Sequence, residues 1–221
     1  MILGLIIAMT FLPPNHPGLN TRSAEIPLEE ISSAETQALI ERMYDVAYGE
    51  DRGQNKKFLV GLAAPQIGVF KRVILVDLEA AAIRTVPKDN PQEIQVYINP
   101  EILWRSEEMA SWREGCFSTG KIFGIVPRPN EIIIHAYDRT GQQITQKYEG
   151  YTARIFQHEI DHLEGIRFPD RIQNDDHLHW VEEDQVIEYR QKFDTWPQKF
   201  PRANWEKLKS DHSLGGGAGG C

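Results

Sequence analysis

The segment at residues 157–162, which reads QHEIDH, constrains this chain more than any other. Side chains four residues apart on a helix share one face, so His158 and His162 can direct two imidazoles at one metal ion. Glu159 follows the first histidine, and H-E-x-x-H is typical of hydrolytic metal sites whose glutamate is the general base. The pattern predicts a metal-dependent hydrolase, and the alternative is a solvated helix with two chance histidines.

The residues around this motif favour a helix. Four apolar residues recur at helical spacing, namely Ile155, Phe156, Ile160 and Leu163. Gly165, which suits a helix end, follows them. The motif is therefore expected to be helical.

A third protein ligand is needed, because catalytic zinc-type sites use three protein ligands and leave a fourth position open. Cys116, in the segment EGCFS, can offer a thiolate, and Gly115 before it allows close approach. A lone cysteine is more often a small buried hydrophobe. The competing histidines are weaker, because His177 and His179 lie in a charged segment and are expected to be solvated, and His135 is expected to pack in a strand.

Length and composition limit the class of protein. The chain has 221 residues, enough for one well-cored domain. Its net charge of -8 argues against nucleic acid as the main partner, because phosphate binding needs basic patches. The two cysteines, Cys116 and Cys221, exclude a disulfide framework and indicate a reducing, cytoplasmic compartment.

Apolar periodicity predicts elements outside the motif. A helix is expected after Ser32, which with Glu35 makes a capping box, and it should end at Gly49. Strands are expected at residues 58–62, 72–78, 96–98, 102–104, 131–137 and 143–148. Asn99 and Pro100 should break the third of these from the fourth. An amphipathic helix is expected at residues 180–196.

Three segments together resemble, in chain order, the signature motifs of the peptide deformylases. They are GLAAPQ at residues 61–66, EGCFS at 114–118 and QHEIDHLEG at 157–165. The resemblance implies an α+β fold in which antiparallel sheets pack around a central metal-binding helix that carries H-E-x-x-H. It also implies a hydrolase that removes the N-formyl group from the N-terminal methionine of newly made polypeptides.

The resemblance implies a metal centre as well. Cys116, His158 and His162 would hold one divalent ion, commonly ferrous iron in this family, with zinc, nickel or cobalt able to replace it. Glu159 would take a proton from water and pass it to the leaving amine. These four residues would form the reacting centre.

Further residues of the motifs would bind the substrate. The side-chain amide of Gln66 and the backbone N–H of Phe117 would donate hydrogen bonds to the oxyanion. Val60 and Gly61 would pair with the substrate backbone as an added strand. Other substrate contacts are assigned to Glu114 and Gly115.

The sequence departs from the family pattern at three positions. Leu59 stands where the first motif often has glycine, Phe117 where leucine or valine is usual, and Gly120 where proline is frequent. None of these residues is a predicted metal ligand. The departures bear on the shape of the substrate loop and on substrate range.

Domain boundaries follow from the extent of the motifs. Residues 1–213 are expected to form one catalytic domain, with the motifs at 33–170, a C-terminal extension at 171–213 and a flexible Gly-rich tail at 214–221. Residues 1–12 are apolar and too short for a membrane span, which needs about 20 residues. A buried strand or a chain-start artefact is expected there, with an export signal as the alternative.

Three other functions compete with the deformylase interpretation. A zinc peptidase would take its third ligand after the helix, whereas Cys116 precedes it. A structural metal protein would normally need four protein ligands. A deformylase-like relative with an altered substrate would use the same centre. The expected partners are N-formyl-Met nascent peptides, with a transient ribosome contact. No direct nucleic-acid specificity and no membrane partner are expected, and the chain is expected to be a monomer.

Overall fold

Antiparallel strands form two sheets in the described part of the chain. The computed structural model describes residues 11–49, 59–80 and 94–211. One sheet has the order β1-β2-β3-β6-β7 and the other the order β4-β5-β8. The strands are β1 (Gly61–Ala63), β2 (Val73–Val76), β3 (Gln95–Arg105), β4 (Met109–Gly115), β5 (Ile122–Pro129), β6 (Glu131–Tyr137), β7 (Gln143–Glu149) and β8 (Leu178–Trp180). The helices are α1 (Ala34–Tyr48), α2 (Gly150–Leu163), α3 (Val186–Lys192) and α4 (Arg202–Ser210).

Helix α2 contains the H-E-x-x-H segment and lies between the two sheets. It packs against β1, β2 and β7 of the larger sheet and against β5 of the smaller one. Phe156 and Leu163 are fully buried, and burial of each such side chain stabilises the fold by roughly 1.5–3 kcal/mol. Gly165 then adopts a φ of 71°, which glycine tolerates best. The expected α+β fold and the expected helix are both confirmed.

Helix α1 begins one residue later than the predicted capping box implies. The side chain of Ser33, and not that of Ser32, accepts the backbone N–H of Thr36. Two adjacent serines are equivalent cap candidates in sequence, and the backbone conformation selects between them. The helix ends at Gly49, as expected, with a φ of 58°.

The strands of the larger sheet agree with most of the sequence predictions. Strands β2, β6 and β7 lie within one or two residues of their predicted bounds. Strand β1 begins at Gly61 instead of residue 58, which lies outside the described residues. The predicted break at Asn99 is wrong, because β3 continues through it with an irregular register. Asn99 has a φ of 49°, and its side chain bonds both backbone groups of Ile26.

None of the three strands of the smaller sheet was predicted from the sequence. Strand β4 shows no clean alternation of buried and exposed residues, and β5 contains Gly124, Pro127 and Pro129, which weaken a strand prediction. Pairing along seven residue pairs nevertheless joins the two strands. The sheet therefore depends on contacts between segments that local patterns do not reveal.

The C-terminal extension is more irregular than the helix predicted at residues 180–196. Only α3 is α-helical there, with short 3-10 helices at Glu183–Gln185 and Phe193–Thr195. Helix α4 follows Pro201 and buries Trp205 completely beside Ile122 and Phe168. The extension thus shares its core with the smaller sheet.

His179 lies on β8 and is fully buried, so the prediction that it is solvated is wrong. Its Nε2 donates to the carbonyl of Asp176 at 2.8 Å, and its Nδ1 accepts from the hydroxyl of Tyr189 at 3.0 Å. The prediction failed because His179 has charged neighbours in the sequence, whereas its position on β8 directs the side chain into the core. Burial lowers the pKa of His179 to about 4, so the ring is neutral in the folded protein.

This buried imidazole should make folding stability depend on pH. Its folded pKa lies below the unfolded value near 6.5, so the unfolded state binds the proton first as the pH falls. Between pH 6.5 and 4 the wild type should therefore lose about 1–2 kcal/mol more unfolding free energy than His179→Gln. Urea denaturation of both proteins at the two pH values measures the difference. Equal losses of unfolding free energy in the two proteins would show that His179 does not titrate between pH 6.5 and 4.

Some predictions fall on residues outside the described ranges. The apolar start at residues 1–10, the Gly-rich tail at 214–221 and Cys221 belong to this group. None of the helices in the described ranges has the length and apolar character that crossing a membrane requires.

Candidate metal centre

Three side chains from two elements converge on one point. His158 and His162 project from the same face of α2, and Cys116 follows the last residue of β4. One ligand atom from each of the three residues lies within 4.8 Å of the others, and the Cys116 Sγ is 3.3 Å from the His162 Nε2. A thiolate and two imidazoles are a donor set that suits zinc and other late first-row metals. The arrangement fits one divalent metal ion.

The environment of His162 also fits a metal. His162 is only 2% exposed, and its Nδ1 has no hydrogen-bond partner among the described residues. Burial, with the positive charge of His158 nearby, holds the pKa of His162 well below its usual value. Metals bind the neutral form of imidazole, which this environment favours.

His158 is oriented by a carboxylate behind it. The Glu114 Oε2 lies 2.8 Å from the Nδ1 of His158, which leaves the Nε2 for the centre. Burial alone would lower the pKa of His158, but contacts with Cys116 and Glu114 raise it well above the usual value. Glu114 was predicted to touch substrate, and the structure also places it as the partner of a predicted metal ligand.

Two buried arginines hold Glu114 in turn. Arg128 donates to both of its oxygens at 2.7 and 2.9 Å, and Arg154 on α2 donates to Oε1 at 2.6 Å. Arg128 also pairs with Asp161, one residue before His162. Burial alone would raise the pKa of Glu114, but the Arg128 guanidinium keeps it well below its usual range. We call the contacts of Arg128 and Arg154 with Glu114 the arginine clamp. The sequence did not predict it, because charged residues near the motifs do not by themselves indicate which of them will pair.

Glu159 lies on the cavity side of α2 and is buried. Its Oε2 has no hydrogen-bond partner among the described residues, and burial raises the pKa of Glu159 to about 7. Gly61 packs directly against this carboxylate, and a Cβ on Gly61 would collide with the Glu159 Oε1. Glycine is therefore required at position 61 by a close approach as well as by any substrate contact.

Gln66 is fixed with its amide nitrogen toward the centre. Its Oε1 accepts the backbone N–H of Ala63 at 2.8 Å. Its Nε2 lies 3.3 Å from the Cys116 Sγ and 3.2 Å from the Ser118 Oγ. The orientation matches what an oxyanion donor beside the metal would need, because the acceptor end is already occupied.

The predicted substrate residues lie on or beside the outermost strand of each sheet, counted over the described strands. Strand β1, with Gly61, is the outer strand of the larger sheet, and β4, with Glu114 and Gly115, is the outer strand of the smaller one. Val60 is 36% exposed just before β1. An open strand edge of this kind can pair with an extended peptide.

One cavity of about 570 Å³ contains most of the predicted residues. Nine of the ten line it, and the tenth, His162, is buried outside the lining. Residues that were not predicted complete the wall, among them Phe11, which stacks on Phe117 with 4.9 Å between ring centroids. Phe117, one of the three residues that depart from the family pattern, therefore has a specific aromatic partner in the cavity wall.

Comparison with known proteins gives the family. The family model described as polypeptide deformylase matches residues 9–177. This chain belongs to the peptide deformylase family. A peptide deformylase from Phenylobacterium zucineum is 35% identical over 172 residues, which is 78% of this chain and 88% of the relative.

Other peptide deformylases agree with this assignment. The protein from Symbiobacterium thermophilum is 45% identical over 115 residues, and the match spans 52% of this chain and about half, 48%, of that relative. The Met-Ala-Ser-bound crystal structure of the class I type b enzyme from Acinetobacter baumannii superimposes with a TM-score of 0.59 at 30% identity. It covers 73% of this chain and 96% of that one. The family is metal-dependent, and its named members support deformylase function for this chain.

Proposed function

We propose that Cys116, His158 and His162 hold one divalent metal ion and that deformylation takes place in the cavity beside them. The convergence of these three donors within 4.8 Å is the observation that supports the proposal most strongly. When bound, a divalent metal polarises a carbonyl and lowers the pKa of water. Ferrous iron is the proposed ion, with zinc, nickel or cobalt as substitutes. Elemental analysis of protein purified without oxygen tests this choice, and stoichiometric zinc would overturn it.

Glu159 is the proposed proton-transfer residue. Its buried carboxyl faces the cavity with one oxygen free of partners among the described residues, so it can take a proton from water and release it to the leaving amine. A pKa of about 7 suits both directions of transfer near neutral pH. Its position next to His158 on α2 fixes it beside the metal ligands.

The oxyanion that forms on the formyl carbon needs donors in place before the reaction. The Nε2 of Gln66 and the backbone N–H of Phe117 are the proposed donors, on either side of Cys116. Both are held by local structure, because Gln66 bonds Ala63 and Phe117 begins a 3-10 helix. Such preorganised donors favour the transition state over the bound substrate.

The proposed substrate is a nascent peptide with N-formyl methionine at its start. Its backbone would pair with Val60 and Gly61 at the open edge of β1, while Glu114 and Gly115 line the facing edge of β4. The Acinetobacter relative was crystallised with Met-Ala-Ser, a peptide that begins with methionine. That observation supports a methionine peptide as the product in this chain.

The competing functions are less well supported. In the described ranges, the group that could hold a metal contains three donors, whereas a structural zinc site normally uses four. Of the two carboxylates that line the cavity near these donors, Glu114 is occupied by His158 and two arginines, and Glu159 is not part of the converging group. Formate release from formyl-Met peptides separates the deformylase from a peptidase and from a relative with another substrate.

The proposed setting is the cytoplasm, where the chain would act as a monomer during brief contact with the ribosome. Deformylase function supports this setting, because formylated peptides emerge at the ribosome. Cell fractionation, light scattering and co-sedimentation with ribosomes test the three parts separately.

Replacing Cys116 with alanine should remove most of the bound metal. The thiolate is one of three ligands, and loss of one typically weakens retention sharply, because metal affinity depends on the complete set. Elemental analysis after gel filtration measures the metal-to-protein ratio. Cys116→Ser gives a control of nearly the same size, and circular dichroism checks the fold. Full metal retention in the alanine variant would remove Cys116 from the centre.

A further inference from the structure

The C-terminal extension builds one wall of the cavity. Tyr189 on α3 is fully buried and packs edge-on against Phe123, with ring centroids 5.2 Å apart. Phe193 packs against Trp112 on β4 at 5.3 Å. These aromatic contacts hold the extension against the cavity, which Tyr189 and Arg190 line.

Arg113 lies on the same wall and has no carboxylate partner among the described residues. Its guanidinium carbon is 5.3 Å from the ring centroid of Trp112 and 5.9 Å from that of Phe193, so the two rings hold it by cation–π contact. Its Nε is buried, and none of the described residues accepts a hydrogen bond from it. The guanidinium is thus positioned without its charge being neutralised.

Arg190 adds a second positive charge to this wall. It is exposed on α3, lines the same cavity, and forms no ion pair with the described residues. Burial, and secondly repulsion from Arg190, lower the pKa of Arg113. Two arginines that line one cavity without a carboxylate partner among the described residues leave an uncompensated positive charge there.

We propose that Arg113 and Arg190 form a subsite for a carboxylate side chain of the substrate, downstream of the methionine. The proposal rests on the proposed function, since it places the peptide in this cavity. Guanidinium groups bind carboxylates through paired hydrogen bonds, and a peptide that runs along the edge of β4 passes Arg113. Aspartate or glutamate within the first few residues after methionine would therefore be favoured over neutral and basic residues.

Formyl-Met peptides with amidated C-termini test the preference directly. Glutamate, glutamine or lysine is placed in turn at the second, third and fourth positions, and kcat/KM is measured from formate release. The wild type should favour glutamate over glutamine by up to about fivefold at one or more positions, and added salt should reduce this ratio. Arg190→Glu should abolish or invert the ratio. Arg105→Glu, an exposed change on β3 outside the cavity lining, should leave it unaltered.

The outcomes separate this subsite from the reaction itself. Two results would overturn the subsite and leave deformylation standing. One is formate release from every peptide with no charge preference, and the other is a preference that is unchanged in Arg190→Glu. The same peptides with free C-termini serve as a comparison: faster formate release from them, without a glutamate preference in the amidated set, would also overturn the subsite, because the arginines would then bind the terminal carboxylate. Absence of formate from all peptides would instead contradict the proposed function.

Discussion

Replacing Glu159 with alanine is expected to slow formate release by roughly 10²–10⁴-fold while the fold and the metal content stay as in the wild type. The carboxyl is buried, lines the cavity and has an oxygen without a partner among the described residues, so its removal takes away the proton acceptor. It is not one of the three converging donors, so the metal should remain.

Three measurements on the same preparations separate a loss of proton transfer from a loss of metal or of the fold. Formate release, metal content and thermal unfolding are compared for the wild type, Glu159→Ala and Glu107→Ala, an exposed glutamate that does not line the cavity. Glu107→Ala should behave as the wild type. Unchanged formate release in Glu159→Ala would remove Glu159 from proton transfer, and loss of metal would make it a ligand.

The second large effect is expected at Gln66. Its alanine variant should lose about 10²–10³-fold in kcat, because one preorganised donor to the oxyanion disappears. The loss should fall mainly on kcat and not on KM, since the bond is made fully only in the transition state.

Gln66→Glu separates this role from a structural one. The glutamate can still accept the backbone N–H of Ala63, but it cannot donate toward Cys116 and Ser118. A loss of activity similar to that of the alanine variant, with normal thermal stability, would support donation. Near-normal kcat in either variant would exclude Gln66 as an oxyanion donor.

Short-range spacing explains why the centre of this fold was predictable. His158 and His162 share a helix face through a fixed period, and the apolar residues around them show the same period. Cys116 was assigned from its thiolate chemistry and from the order of three motifs. The structure brings all three side chains together, although they belong to segments about 40 residues apart.

The parts that were missed depend on long-range contacts. The clamp of Arg128 and Arg154 on Glu114 joins segments 14 and 40 residues apart in the chain, and no local pattern encodes which buried charges will meet. The stack of Phe11 on Phe117 is of the same kind. His179 was misread because the polarity of its neighbours in sequence outweighed its inward position on β8.

The departure at residue 117 also has a structural consequence. Phe117 is 41% exposed, and its ring lies against Phe11 at the cavity wall. The two aromatic rings form part of the cavity wall. The departure therefore changes the lining of the cavity and not the set of metal ligands.

Formate and peptide fragments, measured side by side from one reaction, test the proposed site most directly. Metal-loaded protein is incubated with formyl-Met-Ala-Ser and, separately, with the same peptide lacking the formyl group. We expect formate and intact Met-Ala-Ser in equal amounts from the first peptide, and no change in the second. Cleavage of internal peptide bonds without release of formate would contradict deformylation in this cavity and would establish a peptidase.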